Sequence, residues 1–436
     1  MKHLFFGGVH PADRKELTGR GIPAPAPIPA QVVIPLRQHI GAPCTPLVKP
    51  GDTVGLGQKL GDGEGLCVPV HASVSGLVTA VEPRPHPGGG QVLSVVIEND
   101  YQDTPASALE PHLDLSGLTK EEIVSIIGEA GIVGMGGATF PTDVKTVAGM
   151  GRVDTLIANA CECEPYITAD DALLCTYPEQ VLRGMGVLMA VLEPKRAVLA
   201  VEDNKSEAVG ILKKQMETFP GIELLVLPTR YPQGAEKQLI QAVTGRQVPP
   251  GALPKDVGCA VFNAATFASI YKAVYEGEPV TRRIVTVTGE GVREPKNLIV
   301  RIGTPFSEVI AAAGGLTGDV WKVLSGGPMM GVAQADLAVP VVKGTNAVLC
   351  LSRAQDREGA HPQCIRCAKC VTACPMSLQP LYLYRFEQAG DLTALRRLNL
   401  TDCIECGCCA YVCPGRLPLV ESFRAGKRAV KEENAS

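Results

Sequence analysis

Aromatic side chains make up only 4% of this chain of 436 residues, and its net charge is −4. A nucleic-acid surface needs a basic patch and rings on which bases can stack, so the composition predicts no nucleic-acid partner. No apolar run approaches the roughly 20 residues that cross a bilayer. The longest candidate, around 187–192, reads as part of a buried helix. The opening MKHLFFGGVH lacks the apolar core and cleavage site of a secretory signal, which predicts a reducing, cytoplasmic setting and argues against disulfides. Neither a lipidation motif nor a basic amphipathic helix is legible, so any work at a membrane would run through protein contacts. Apolar residues reach 45%, enough for packed cores, and the length suggests about three domains.

Cysteine is the residue in surplus, at 16 per chain. Cys364, Cys367, Cys370 and Cys374 precede Pro375, and Cys403, Cys406, Cys409 and Cys413 precede Pro414. Each run reads C-x2-C-x2-C-x3-C-P, the bacterial spacing for [4Fe–4S] clusters, in which the fourth cysteine of a run ligates the other cluster. The expected ligand sets are therefore Cys364, Cys367, Cys370 and Cys413, and Cys403, Cys406, Cys409 and Cys374. Zinc knuckles pair two C-x2-C units across a longer loop and fit this crowding poorly. Two such clusters carry single electrons. Cys408 falls out of register beside Cys409 and reads as a bystander. Cys44, Cys67, Cys161, Cys163, Cys175, Cys259 and Cys350 are scattered, as small core hydrophobes are.

The rest of the chain divides by pattern. Residues 46–65 and 68–81 alternate short Val-rich strands with Gly-Asp turns. This stretch resembles the hammerhead barrel of biotinyl and lipoyl carrier domains. Where those carry a modified lysine the sequence reads Gly65-Leu66-Cys67-Val68, so a structural barrel is expected and a swinging arm is not. From about 116 to 280 helices alternate with strand-like runs at 155–160, 197–201, 223–227 and 258–262, the pattern of a mainly parallel α/β sheet. Thr119 and Glu122 have capping-box spacing ahead of an apolar run ending near Ala130. Residues 281–350 suit a small α+β module. Helices are expected at 378–389 and 391–398, and the charged tail GKRAVKEENAS reads as frayed.

Gly134-Met135-Gly136-Gly137-Ala138-Thr139-Phe140-Pro141-Thr142 offers backbone N–H groups to a phosphate, beside a helix that should start near Thr142. It is not a dinucleotide fingerprint, because the third glycine would fall at Thr139 and the run follows a helix rather than a strand. The strand at 155–160 runs into Cys161-Glu162-Cys163-Glu164-Pro165, which puts two carboxylates where α/β sheets bind ligands. The alternative for both segments is an ordinary turn and a solvated loop.

GMGGATFPTDVK (134–145) and NACECEPYITAD (159–170) look like the flavin loop and acidic loop of the NADH-binding flavoprotein subunit of respiratory complex I. YPQGAEKQL (231–239) and NAATFAS (263–269) resemble two further flavin and nucleotide segments of that family. With the carrier-like start and the double ferredoxin run, the order of parts resembles the C subunit of Rnf complexes, membrane-bound ferredoxin:NAD oxidoreductases coupled to ion translocation. The resemblance covers nearly the whole chain. It implies a multidomain α/β plus β chain in four parts. These are a barrel-sandwich domain (1–112), a Rossmann-like FMN and NADH domain (113–280), a β-grasp soluble-ligand-binding domain (281–352) and an α-helical two-cluster ferredoxin domain (353–425). It places Gly134, Gly136, Gly137, Lys145, Asn159, Glu162, Asn263 and Thr266 around FMN, and Phe140, Glu164 and Glu236 toward NADH. Two departures from complex I stand out, Met135 for an arginine and Cys161 for an aspartate.

The implied reaction is hydride exchange between NAD(H) and a flavin, with single electrons passing between FMN and two [4Fe–4S] clusters. The flavin is the natural converter between the two kinds of carrier, and no catalytic acid or base is required. The implied partners are other Rnf-type membrane and ferredoxin-like subunits, with ferredoxin itself reached indirectly, at the cytoplasmic face of the cell membrane. Three alternatives stay open: the soluble cobalamin reductase of diol-utilisation microcompartments, a complex I subunit, and an electron-transfer module without bound nucleotide. The opening Phe6-Gly7-Gly8-Val9-His10-Pro11 and the complete barrel favour Rnf over the first, and two clusters rather than one favour it over the second.

Overall fold

The computed structural model describes residues 5–19, 21–356 and 363–435. Two small sheets build the barrel sandwich. One has the order Gln31–Pro35, Gln91–Asn99, Gly76–Pro85, Thr53–Val54, and the other Thr45–Pro46, Lys59–Asp62, Val70–His71. Alternate residues such as Val32, Ile34, Val95 and Ile97 point inward and are buried. Their core is continuous with that of the next module, so barrel and α/β unit share one apolar interior.

That α/β unit holds four parallel strands in the order Ile222–Leu227, Arg196–Glu202, Thr155–Ala160, Cys259–Asn263. All four match the expected runs to within a residue or two. They read as near-continuous apolar segments because helices cover both faces of a parallel sheet. The helix Lys120–Glu129 begins with the expected Thr119–Glu122 capping box. Strand order reverses between Thr155–Ala160 and Cys259–Asn263, and the crevice beyond the carboxyl ends of such a pair is where doubly wound sheets take ligands. The acidic loop leaves from one of these ends and the helix Ala264–Glu276 from the other.

A six-stranded sheet follows, in the order Ala24–Pro25, Lys296–Arg301, Arg282–Thr288, Ala347–Ser352, Val320–Ser325, Val332–Gln334, with the helix Phe306–Ala312 against it. Its first strand comes from the segment assigned in sequence to the barrel. Ala24 and Pro25 pair in parallel with Leu298 and Ile299 instead.

The ferredoxin module is helical, with Pro380–Gln388 and Leu392–Arg397 near their expected places. The tail is a correction. Leu419–Ala435 is one helix rather than a frayed end, and Ser436 lies outside the described residues. Val430 is buried with Leu395 and Phe423. Lys427 donates to Cys403 O at 2.6 Å and Glu405 at 2.7 Å, and Arg424 bonds Glu405 at 2.8 Å. The charges that make the tail look solvated fasten it to the cysteine loop.

Candidate flavin and iron–sulfur site

The loop at 134–140 closes on itself, with Gly134 N donating to Phe140 O at 2.8 Å and Thr139 N to Gly134 O at 3.1 Å. Thr266, on the helix after the last parallel strand, accepts from Met135 N at 3.0 Å and donates to Val133 O at 3.3 Å. Arg283 of the β-grasp sheet, 5% exposed, donates to Met135 O from beneath at 3.3 Å. Thus the loop is held on three sides. Among the described residues no hydrogen bond takes the amides of Gly136, Gly137 or Ala138. Gly137 has φ +109 with open space where a side chain would stand, and Gly136 faces Asn263. Free amides, glycine and open space together fit an oxyanion such as a phosphate.

The acidic loop is tied from behind. Asn159 donates to Gly234 O at 2.8 Å and accepts from Cys161 N at 3.1 Å. Glu162 accepts from Asp170 N at 2.8 Å, while its other carboxylate oxygen is buried without a hydrogen bond, 3.9 Å from Lys15 Nζ. Asp170 accepts from Asn263 at 2.6 Å. Burial, then the Glu162 carboxylate, push Asp170 up to about 7. Lys15 donates to the carbonyls of Glu162 at 2.9 Å, Glu164 at 3.1 Å and Ile167.

The structure therefore brings Gly134, Gly136, Gly137, Asn159, Glu162, Asn263 and Thr266 to one crevice. Lys145, on the helix Thr142–Gly149, lies 5.2 Å over the Phe262 ring and pairs with Glu236 at 2.6 Å, so this cation and the expected NADH-side carboxylate neutralise each other. Glu164 turns elsewhere. Its carboxylate accepts from Met329 N at 3.1 Å and stands 3.4 Å from the Tyr231 hydroxyl oxygen. Lys15, Asp170, Arg283 and Tyr231 are functional neighbours that sequence reasoning misses. Asp170 closes the acidic motif and Tyr231 opens the 231–239 segment, so each carries a signal there; Lys15 and Arg283 come from segments that carry none.

Burial pushes Glu164 up to about 7 from an ordinary 4.5, against opposing hydrogen bonds from Met329 and Met330. The folded chain then holds more protons than the unfolded one between those values, so this group makes stability fall as pH rises from about 4.5 to 7. Glu164→Gln should flatten that slope by an amount on the order of 1–2 kcal/mol, Asp170 keeping its own share of the same sign. Thermal melts of both proteins at pH 6 and pH 8 read the difference; parallel melting curves would refute the assignment.

The cysteines form two groups. Cys374, Cys403, Cys406 and Cys409 line one cavity with Leu378, Leu383 and Phe423, and Cys408 lines it too. Cys364, Cys367, Cys370 and Cys413 line another with Leu381, Leu417 and Leu419. Leu378 N donates to Cys374 Sγ and Glu405 N to Cys403 Sγ, each at 3.4 Å, as amides do around cluster sulfurs. Burial pushes the Cys403 thiol up to about 11, a shift that a bound cation would reverse. The donor sets fit two cubane clusters. Tyr231 joins the first cavity to the acidic loop at Glu164, donating to Cys406 O at 2.7 Å, and Gln238 reaches Pro375 O at 3.1 Å. The second cavity is outermost, with Cys364 and Cys367 exposed.

Four family models match successive parts of the chain. The family model described as the RnfC barrel sandwich hybrid domain matches residues 3–102, and the Nuo51 FMN-binding domain matches 127–272. The SLBB domain matches 284–333 and the 4Fe-4S dicluster domain 363–416. The chain is 45% identical over 433 residues to the C subunit of the Na(+)-translocating ferredoxin:NAD(+) oxidoreductase complex of Acetobacterium woodii, covering 99% of this chain and 98% of that protein. It is 43% identical to the proton-translocating counterpart of Clostridium ljungdahlii, with 92% and 88% covered. An NAD+-reducing [NiFe]-hydrogenase in its H2-reduced state shares the fold at a TM-score of 0.52 and 22% identity, over 72% of this chain and 63% of that one. The chain thus has an FMN-binding domain and a [4Fe–4S] dicluster domain. With relatives this similar along its whole length, it belongs to the family of C subunits of ion-translocating ferredoxin:NAD(+) oxidoreductase (Rnf) complexes.

Proposed function

We propose that this chain is the Rnf subunit that exchanges electrons with NAD(H), using one non-covalent FMN and two [4Fe–4S] clusters. The observation that carries the reading is the junction at Tyr231, one side chain that meets Glu164 of the acidic loop and bonds the backbone of the inner cysteine cavity. FMN would exchange a hydride with the nicotinamide and pass electrons singly, and each cluster would carry one of them. The residues of the chain bind and orient. Gly136 and Gly137 present amides to the phosphate, and Asn159, Glu162, Asn263 and Thr266 fix the two loops that flank it. Lys145 reaches the same crevice from the helix that follows the glycine loop. Phe140, Glu164 and Glu236 are read as the nucleotide side, Glu164 by setting the loop at 327–330. Cys374, Cys403, Cys406 and Cys409 form the inner ligand set, and Cys364, Cys367, Cys370 and Cys413 the outer one. The exposed outer set is the natural exit to a redox partner. We read 1–112, 113–280, 281–352 and 353–425 as the corresponding functional units.

Among the described residues no helix is long and apolar enough to cross a membrane. We therefore place the chain at the cytoplasmic face, held by the other members of the complex. NADH should bleach the flavin of the purified chain and support reduction of ferricyanide or a viologen, whereas efficient coupling to ferredoxin should need the partner subunits. A flavin left oxidised by NADH would leave only an electron wire. Full ferredoxin:NAD activity from the lone chain, or membrane association that survives deletion of every partner, would overturn the assignment to a docked subunit.

A further inference from the structure

The barrel sandwich contains a cluster that electron transfer does not use. His39 is 5% exposed, and neither ring nitrogen makes a hydrogen bond of ordinary geometry, although the Ala42 backbone acts on the ring. Burying such a group without a partner is unfavourable. Cys44, 4% exposed, has its Sγ 3.5 Å from Cys67 Sγ and 3.3 Å from Val68 O. One ligand atom from each of His39, Cys44 and Cys67 lies within 4.8 Å of the others. Tetrahedral zinc with Zn–S of about 2.3 Å sets its sulfurs roughly 3.8 Å apart, close to the spacing present, whereas a disulfide requires about 2.0 Å. Cys67 is partly buried at the 65–68 tip, where carrier domains display their lysine.

We propose that His39, Cys44 and Cys67 form a structural site for one zinc ion, with the Val68 carbonyl or a water as the fourth ligand. The ion clips the 39–44 segment to the hairpin tip. It takes up the imidazole nitrogen that the protein leaves unpaired, and binding releases the two thiol protons to solvent. This assigns to Cys44 and Cys67 a role beyond the core packing expected of them in sequence.

The test uses the full holoprotein, prepared anaerobically with zinc supplied and then passed over a weak chelator. Iron, flavin and zinc are measured together. The expected result is about one zinc ion per chain, with an X-ray absorption spectrum fitted by two sulfurs and one imidazole nitrogen. His39→Ala and Cys67→Ser should each lower retained zinc by roughly tenfold or more, with iron and flavin unchanged. If His39→Ala fails to fold, seen as lost flavin, Cys67→Ser at the partly exposed tip decides alone. Wild-type protein without zinc overturns the proposal, as does a Cys44–Cys67 disulfide in the native chain. Zinc that survives both variants but vanishes in Cys367→Ser would mark filling of vacant ferredoxin cysteines and overturns it equally.

Discussion

The Cys409→Ser chain, reconstituted anaerobically, should contain about four iron and four sulfide where the wild type contains about eight of each. Cys408→Ser should keep them all. The two neighbours differ in what they touch. Both line the inner cavity, but Cys409 packs with Cys374, Leu378 and Phe423, whereas Cys408 packs with Cys406, Val9, Tyr231 and Ala373 on the seam toward the flavin module. The three-three-four register is what selects Cys409. Serine is close in size but a poor ligand for a cluster that prefers thiolate. Loss of iron from Cys408→Ser with retention in Cys409→Ser would mean that the register misleads.

Gly137→Glu should purify without flavin, its content falling from about one per chain to below roughly a tenth, because the new carboxylate would bring bulk and negative charge to the anion site. Gly137→Ala separates the contributions. Space for its methyl is open, yet φ +109 strains any L residue, so the alanine variant should lose some stability and keep part of its flavin. Iron content should be unchanged in both, since the cysteine cavities lie in another module. Stoichiometric flavin in Gly137→Glu would remove the phosphate from this loop.

The parts legible in sequence are those written in short-range pattern. The four parallel strands announce themselves as apolar runs, the helix at 120 by its capping box, and the cysteine sets by spacing that one module encodes alone. The flavin neighbourhood is only half legible for the same reason. Asn263 can be found within its motif, but that Asp170 is its partner depends on how two loops meet across the crevice. Lys15 gives no sign that it holds three carbonyls of the acidic loop, because a lone lysine in a polar stretch is ordinarily solvated. Ala24–Pro25 reads with its sequence neighbours, yet a two-residue parallel pairing carries too little pattern to betray which sheet it joins. Charge alone misjudges the helical tail, since buried Val430 and the clasp of Lys427 on Cys403 outweigh its polarity.

The short segment around Gly7 bears on the order in which this molecule is put together. Gly8 N bonds Ala373 O at 2.9 Å, Val9 exchanges backbone hydrogen bonds with Tyr231, and a side chain at Gly7 would sit 2.5 Å from Cys374 O. One strip of backbone is thus clamped between the flavin module and a cluster-ligand turn far away in sequence. Contacts of such range form late, since the intervening chain must first be drawn together. During synthesis the strip waits on the ribosome's delivery of the ferredoxin module, whose turn at Cys374 is held by its own backbone hydrogen bonds to Val371 and Ser377. The seam therefore closes a loop of more than 350 residues, from Gly8 to Ala373, and its backbone hydrogen bonds report that the first and last modules have met.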